Sequence, residues 1–404
     1  MKIAPNIGLV LSGGGARGAY ELGVLQWIAE HQPEVLSAIR VLTGSSVGAV
    51  NATYLASHGV TPQSVADLAE IWRGLQMSDV LDASYTRMLR ILGAGTRRLF
   101  GRSASPVTGI FKADGLRDLV ESRIDWDRLH ERLESSELDA LAVAATDIAT
   151  GGTHLFVHHS PRIPAPRWPN DRSMVGHTVR MAPEHVLAST SLPLLFSPVE
   201  VEGRWYTDGG IRQNTPLSPA LRLGANRLLV ISLGGPDQSV DRPGTFPGIG
   251  QLVGKLLNSL FLDRMRWDID RLDRINDVLD AGTRVYGETF LPRIQEQLGR
   301  LGRRPYAPIP YVNIKPRGDI GQLAARLMRE VPALGDALSR PMKALLTSDN
   351  MAAADAASYL LFDGRYADSL IEEGYRDAAE YGVALRALVD SDSRAALGAH
   401  GTDS

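Results

Sequence analysis

Short, continuous apolar runs that end in glycine or small polar residues constrain the fold of this chain most strongly. They are Ile7–Ser12, Arg40–Ser46, Leu138–Ile148, Arg227–Gly234 and Tyr311–Pro316. Such runs are typical of strands buried on both faces, and therefore of a parallel sheet that helices cover. Helical patterns lie between them, at residues 20–30, 47–58, 62–75 and 116–133. The alternation predicts a doubly wound α/β core.

The chain is long enough for two or three domains, but its pattern favours one. It has 404 residues, of which 44% are hydrophobic, so a large core can form. A strand-like run returns late, at Tyr311, which indicates that the sheet is completed near the C-terminus. We therefore predict a single domain over 1–390, followed by a flexible tail over 391–404. Its parts are a motif-bearing core over 7–235, a helical elaboration over 250–300, and a final strand with C-terminal helices over 308–390.

Charge and composition exclude several classes of function. The formal net charge is −3, so no global field attracts nucleic acid, and no nucleic-acid partner is expected. The absence of cysteine excludes disulfides and thiolate metal sites. Pro5, Asn6 and Gly8 interrupt the first apolar run, which indicates a buried strand rather than a signal peptide. No stretch approaches the roughly 18 apolar residues of a spanning helix, so we expect a cytoplasmic protein.

The segment LVLSGGGARGAYELGVL (9–25) places Gly13, Gly14 and Gly15 directly after the first predicted strand. Together with Gly18 it matches the dinucleotide fingerprint G-x-G-x-x-G. That fold requires an acid at the end of the second strand, and TGSS (43–46) has none. A P-loop requires Lys-Ser or Lys-Thr after Gly18, where the chain has Ala19-Tyr20. Both nucleotide interpretations are therefore disfavoured.

The second predicted strand ends in Gly44-Ser45-Ser46-Val47-Gly48, a G-x-S-x-G pattern. Small residues around Ser46 allow the sharp strand-to-helix turn that exposes a serine Oγ. If the first two strands are adjacent, the glycines at 13–15 lie beside that Oγ and can donate N–H groups to an oxyanion. The alternative is a tight structural turn with an inert serine.

A nucleophilic serine needs a base, and no histidine is an evident candidate. His154 and His158 lie in a strand-like THLFVHHS (153–160), where we expect a solvated strand face rather than a catalytic or metal role. Asp208 is different, because it follows a predicted hairpin through Glu202-Gly203 and precedes Gly209-Gly210. The alternatives are an Asx-turn and the base of a Ser–Asp pair.

Three motifs in fixed order, GGGARG (13–18), GSSVG (44–48) and DGG (208–210), resemble the patatin-like phospholipase family in a bacterial form. The similarity extends to ASTSLPLLFSPV (188–199) and SYLLFDGRYADSLIEEGYRDA (358–378). It implies a three-layer α/β/α fold and hydrolysis of fatty-acyl esters, without metal or cofactor. Many members have alanine where this chain has Gly210, which the family tolerates.

By the same resemblance, Ser46 is the nucleophile and Asp208 the base. The oxyanion hole comes from Gly13, Gly14 and Gly15. The supporting residues are Arg17, Gly18, Gly44, Gly48, Gly209 and Gly210. Arg17 has three open roles: bracing the loop, contacting a lipid phosphate, or forming a surface ion pair.

The resemblance implies a phospholipid or lysophospholipid substrate. Acyl transfer, general esterase activity and non-catalytic lipid binding remain alternatives. Residues 83–112 carry no acid and interleave apolar side chains with basic ones. The basic residues are Arg87, Arg90, Arg97, Arg98, Arg102 and Lys112. Such a segment can lie on anionic lipid as a peripheral membrane contact, form a solvated loop, or pack on the core as a lid.

Overall fold

The structure is a computed structural model. It describes residues 4–83, 111–112, 114–166, 168, 174–193, 195–234, 263–301, 306–331 and 357–390. Most of the basic segment 83–112 and all of the tail 391–404 lie outside these residues. The peripheral membrane contact and the flexible tail therefore stay predictions.

Eleven strands are found among the described residues. They are β1 (Ile7–Leu11), β2 (Ile39–Ser45), β3 (Asp82–Ala83), β4 (Phe111–Lys112), β5 (Ala140–Asp147), β6 (Thr153–His159), β7 (Met174–Thr178), β8 (Val199–Val201), β9 (Arg204–Asp208), β10 (Arg227–Ile231) and β11 (Tyr311–Ile314). The main sheet has the order β11-β10-β1-β2-β5-β6-β7, with the β8–β9 hairpin attached to β5. The strands from β11 to β5 are mutually parallel, whereas β6 and β9 run antiparallel to β5. The mostly parallel sheet is therefore confirmed.

Helices cover this sheet on both faces. They are α1 (Ala19–His31), α2 (Pro33–Ser37), α3 (Val47–His58), α4 (Pro62–Arg73), α5 (Met77–Val80), α6 (Asp114–Arg123), α7 (Trp126–Glu134), α8 (Pro183–Thr190), α9 (Leu217–Arg222), α10 (Asp263–Tyr286), α11 (Phe290–Arg300), α12 (Ile320–Glu330), α13 (Gly364–Ala379) and α14 (Gly382–Val389). Leu9 and Leu11 of β1 pack into a core with α1 and α3. Val10 packs on the opposite face with α9 and α10. Because alternate residues of one strand enter two cores, the predicted three-layer α/β/α fold is confirmed.

The single helix predicted over 116–133 is instead two helices, α6 and α7. The Asp125 side chain accepts the Arg128 N–H at 3.0 Å and caps the start of α7. An aspartate in this position satisfies a free N–H group at a helix start, so it favours a new helix over continuation. Within the described residues, no helix combines the length and apolar character needed to cross a bilayer.

Candidate active site

Ser46 occupies the turn between β2 and α3. Its φ of 52° and ψ of −126° lie in a region that side-chain-bearing residues rarely adopt. Such a conformation costs roughly 1–3 kcal/mol and persists only where surrounding contacts hold it. A Cβ on Gly44 would overlap the Gly48 carbonyl, and one on Gly48 would overlap the Leu11 carbonyl. The small residues on both sides of Ser46 therefore permit the close approach of β1, β2 and α3.

The pairing along β5 brings Ser46 to Asp208, although 162 residues separate them in sequence. Ser45, the last residue of β2, lies opposite Ala144 of β5. Asp208, the last residue of the antiparallel strand β9, lies opposite the next residue, Ala145. Since β6 occupies the other edge of β5, β2 and β9 share one edge and meet end to end. This arrangement places the side chain of Ser46, which follows β2, within hydrogen-bonding distance of the side chain of Asp208, which ends β9.

Asp208 uses its two carboxyl oxygens differently. Ser46 Oγ donates to Oδ2 at 2.6 Å, whereas the Gly210 N–H donates to Oδ1 at 2.7 Å. The Asx-turn alternative thus accounts for one oxygen only. Asp208 is fully buried. Burial raises its pKa from 3.8 to about 7, against the opposing effect of the hydrogen bonds from Ser46 and Gly210. The carboxyl group therefore titrates near neutral pH, the range in which a general base is most effective.

The glycine loop lies directly against Ser46. A Cβ on Gly13 would come within 3.1 Å of the Ser46 Cβ. The Gly13 N–H donates to the Asn214 carbonyl at 3.3 Å, and the Asn214 side-chain amide donates back to the Gly13 carbonyl. Gly15 begins a 3-10 turn (Gly15–Gly18), and the first N–H groups of such a turn have no acceptor within it. The Gly13 N–H is therefore engaged, whereas the N–H groups of Gly14 and Gly15 have no acceptor within the turn.

The side chain of Arg17 holds the glycine loop in place. It is buried, and its guanidinium donates to Ser358 Oγ at 2.7 and 2.8 Å and to the Tyr359 hydroxyl at 3.0 Å. The same group lies 3.8 Å from the centroid of the Tyr359 ring. These contacts join the glycine loop to the C-terminal part of the chain. A surface ion pair is excluded, and bracing the loop is the role that the contacts support.

His154 does not lie on a solvated strand face, so that expectation is wrong for this residue. It is 4% exposed, and its Nδ1 lies 3.0 Å from the Tyr206 hydroxyl and 2.9 Å from Nε2 of His177. The physical reason is that β7 pairs with β6 and β9 pairs with β5, which brings His177 and Tyr206 against the His154 ring. Burial, with the neighbouring His177, lowers the pKa of His154, which disfavours its charged form. Its hydrogen-bond partners do not include Ser46 or Asp208.

The sequence motifs do not single out three further residues, of which two contact the Ser46–Asp208 pair and one contacts the glycine loop. Ser189 Oγ accepts the Ser46 N–H at 2.9 Å, and the Ser191 carbonyl accepts the Asp208 N–H at 3.0 Å. Asn214 holds the glycine loop. The only sequence signals were the stretch at 188–199, noted for its resemblance alone, and the position of Asn214 just after the Asp-Gly-Gly motif.

Comparison with known proteins identifies the family of this chain. The patatin-like phospholipase family model matches residues 9–221, which include the glycine loop, Ser46 and Asp208. An uncharacterised NTE family protein of Mycobacterium tuberculosis is 26% identical over 235 residues, covering 58% of this chain and 51% of the relative. Lysophospholipase NTE1 of Cryptococcus neoformans is 26% identical over 239 residues, covering 58% of this chain and 12% of the relative. The chain thus spans about half the length of the mycobacterial protein.

Among solved structures, VipD from Legionella pneumophila aligns with a TM-score of 0.37 and 16% identity, covering 91% of this chain and 68% of that chain. The fold and the arrangement of motifs define an α/β protein with a serine at a strained strand-to-helix turn. The family match covers more than half of the sequence. The chain belongs to the patatin-like phospholipase family.

Proposed function

We propose that this protein is a lipid acyl hydrolase that cleaves fatty-acyl esters of phospholipids or lysophospholipids through Ser46 and Asp208. The observation that carries the proposal is the 2.6 Å hydrogen bond from Ser46 Oγ to the buried Asp208 Oδ2, at a serine held in a strained turn. The family and the lysophospholipase relative support a lipid ester as the substrate class. Neither metal nor histidine is required by this arrangement.

The first half of the reaction transfers the acyl group to Ser46. The Oγ proton moves to Asp208 Oδ2 as Oγ attacks the ester carbonyl carbon and forms the tetrahedral intermediate. Negative charge develops on the former carbonyl oxygen, where N–H groups of the glycine loop stabilise it. The carbon–oxygen bond to the leaving alcohol then breaks, and Asp208 returns the proton to that oxygen. The products are the acyl-enzyme and the free alcohol.

The second half releases the acyl group to water. Asp208 accepts a proton from a water molecule that attacks the acyl-enzyme carbonyl. The second tetrahedral intermediate collapses, Ser46 Oγ leaves, and it recovers its proton from Asp208. The net reaction converts ester and water into alcohol and fatty acid. An acceptor alcohol in place of water would give acyl transfer by the same steps.

A fluorophosphonate probe tests whether Ser46 is activated. We expect stoichiometric labelling of Ser46, and no labelling of that site in Ser46→Ala, because an unactivated serine reacts negligibly. Incubation with a panel of phospholipids and lysophospholipids should release fatty acid from the wild type and not from Ser46→Ala. Failure of the wild type to label would contradict the proposal and favour a non-catalytic lipid-binding role. If Ser46 is labelled but the acyl group is transferred to an alcohol instead of being released as free fatty acid, a transferase would be favoured.

The rate should depend on pH through Asp208. The carboxyl group must be ionised to accept the Ser46 proton, and burial raises its pKa to about 7. We therefore expect kcat/KM to rise about tenfold per pH unit below this value and to level off above it. A soluble p-nitrophenyl ester assayed from pH 5 to 9 gives the profile, and the fluorophosphonate labelling rate should follow the same curve. A flat profile over pH 5–8 would contradict this assignment.

A further inference from the structure

We infer that the turn Ser189–Ser191, at the C-terminal end of α8, aligns the two reacting side chains, and that Ser189 is a positioning residue of the reaction. This inference rests on the proposed function, and it assigns a role to residues that are not part of the Ser46–Asp208 pair. We call these three residues the alignment turn. It contacts both members of the pair, through a side chain on one side and a backbone carbonyl on the other.

The contact to Ser46 is made by a hydroxyl. The Ser46 N–H donates to Ser189 Oγ at 2.9 Å, and Ser189 is fully buried. This bond holds the backbone of Ser46 at the point where its φ of 52° departs from ordinary conformations. A residue in such a region needs surrounding contacts to fix it. Without the acceptor, the N–H would remain buried and unpaired, and relaxation of the turn would move Oγ away from Asp208.

The contact to Asp208 is made by a carbonyl. The Ser191 carbonyl oxygen accepts the Asp208 N–H at 3.0 Å and the Thr207 hydroxyl at 2.7 Å. Thr146 of β5 adds a hydrogen bond from its hydroxyl to the Asp208 carbonyl at 2.9 Å. The end of β9 is thus fixed from two directions. The Ser189 hydroxyl fixes the backbone of Ser46, and the Ser191 carbonyl fixes the backbone of Asp208. The alignment turn therefore sets the distance between Ser46 Oγ and Asp208 Oδ2.

The alignment turn is itself held rigidly. The Ser191 hydroxyl donates to the Leu187 carbonyl at 2.7 Å, and the Thr190 hydroxyl donates to the same carbonyl at 3.1 Å. Val186, Leu187 and Ala188 are buried in the main core. A rigid support matters because small displacements of reacting groups cost large factors in rate. Ser57 provides a contrast, because it is also a fully buried serine near the end of a helix, but its hydroxyl donates to the Tyr54 carbonyl of its own helix at 2.8 Å.

Three variants test this distinction. Ser189→Ala removes the acceptor, and we expect kcat for a p-nitrophenyl ester to fall ~10- to 100-fold, with KM within about twofold. The fluorophosphonate labelling rate should fall by the same factor, and the pH midpoint should move upward, because Asp208 loses the Ser46 hydrogen bond that lowers its pKa. Ser189→Thr retains the acceptor and should recover most of the lost rate. Ser57→Ala removes a buried hydroxyl outside the alignment turn and should retain wild-type kcat.

Thermal melting of each variant reports whether it is folded. The inference is overturned if folded Ser189→Ala keeps kcat within about twofold, or if Ser57→Ala loses as much activity as Ser189→Ala. Folded Ser189→Thr that is as slow as Ser189→Ala would also overturn it. Failure of the proposed function would give a different result, because Ser46→Ala would hydrolyse the ester as fast as the wild type. The two failures are therefore separable with one assay.

Discussion

Asp208→Asn is expected to lower kcat/KM about 10³- to 10⁴-fold, because it removes the proposed base, which contacts Ser46. The substitution keeps the local hydrogen bonds: Oδ1 can still accept the Gly210 N–H, and the new amide nitrogen can donate to Ser46 Oγ. The variant should therefore fold, and its loss of rate should reflect chemistry. Ester hydrolysis and fluorophosphonate labelling, measured at pH 8, provide the test.

The same variant should be more stable than the wild type at pH 8. In the folded protein, burial raises the pKa of Asp208 to about 7, above the value of the unfolded chain. A raised folded pKa contributes stability that is fully present below the unfolded pKa and is lost as pH rises through 7. Asparagine has no charge to bury, so Asp208→Asn should gain roughly 2–4 kcal/mol at pH 8 and much less near pH 4.

Asp147 supplies a matched control for this pair of effects. It is also a fully buried aspartate, at the end of β5, and it lies opposite Tyr206 of β9. Burial alone raises the pKa of Asp147, but hydrogen bonds from Thr150 and Ala149, with the nearby His154 and the charge of Arg204, bring it below its ordinary value. Asp147→Asn should therefore lower stability at pH 8. Chemical denaturation of both variants checks the opposite signs, and destabilisation of Asp208→Asn at pH 8 would contradict the argument.

The fold and the candidate residues follow from local sequence patterns to a large extent. The unbroken apolar runs predict β1, β2, β5, β10 and β11, because a strand buried on both faces cannot carry polar residues. Ser46 was found because a sharp turn requires glycine at 44 and 48. The break at Asp125 was missed, since the apolar period continues across it and a single capping residue decides the outcome.

Contacts between distant segments could not be predicted. The meeting of β2 and β9 along one edge of β5 depends on register, which no single segment specifies. Arg17 bonds to Ser358, 341 residues away, so its local sequence left three roles open. The local sequence does not distinguish Ser189 from any other serine in a helix, and only the fold brings its hydroxyl to Ser46. The residues that align the site are thus less visible in the sequence than the residues proposed to react.

The second large effect concerns the glycine loop. Gly15 has a φ of 57°, and a Cβ there would overlap the Tyr359 carbonyl oxygen. Tyr359 also receives the Arg17 guanidinium, so its position is fixed. Gly15→Ala must therefore displace the loop and, with it, the N–H groups of Gly14 and Gly15. Since loss of one oxyanion donor costs about 10²- to 10³-fold in kcat, we expect a decrease of this size.

Gly203→Ala is the control, because it shares the conformational cost but not the overlap. Gly203 has a φ of 76° in the β8–β9 turn, and its Cβ would meet no atom within 4 Å. Both variants should lose about 1–2 kcal/mol of stability from an alanine in the left-handed region. Only Gly15→Ala should also lose kcat, in parallel with slower fluorophosphonate labelling. The conformational cost that both variants share should not change the rate of the reaction. Equal activity of the two folded variants would therefore show that the loop donors do not stabilise the reaction.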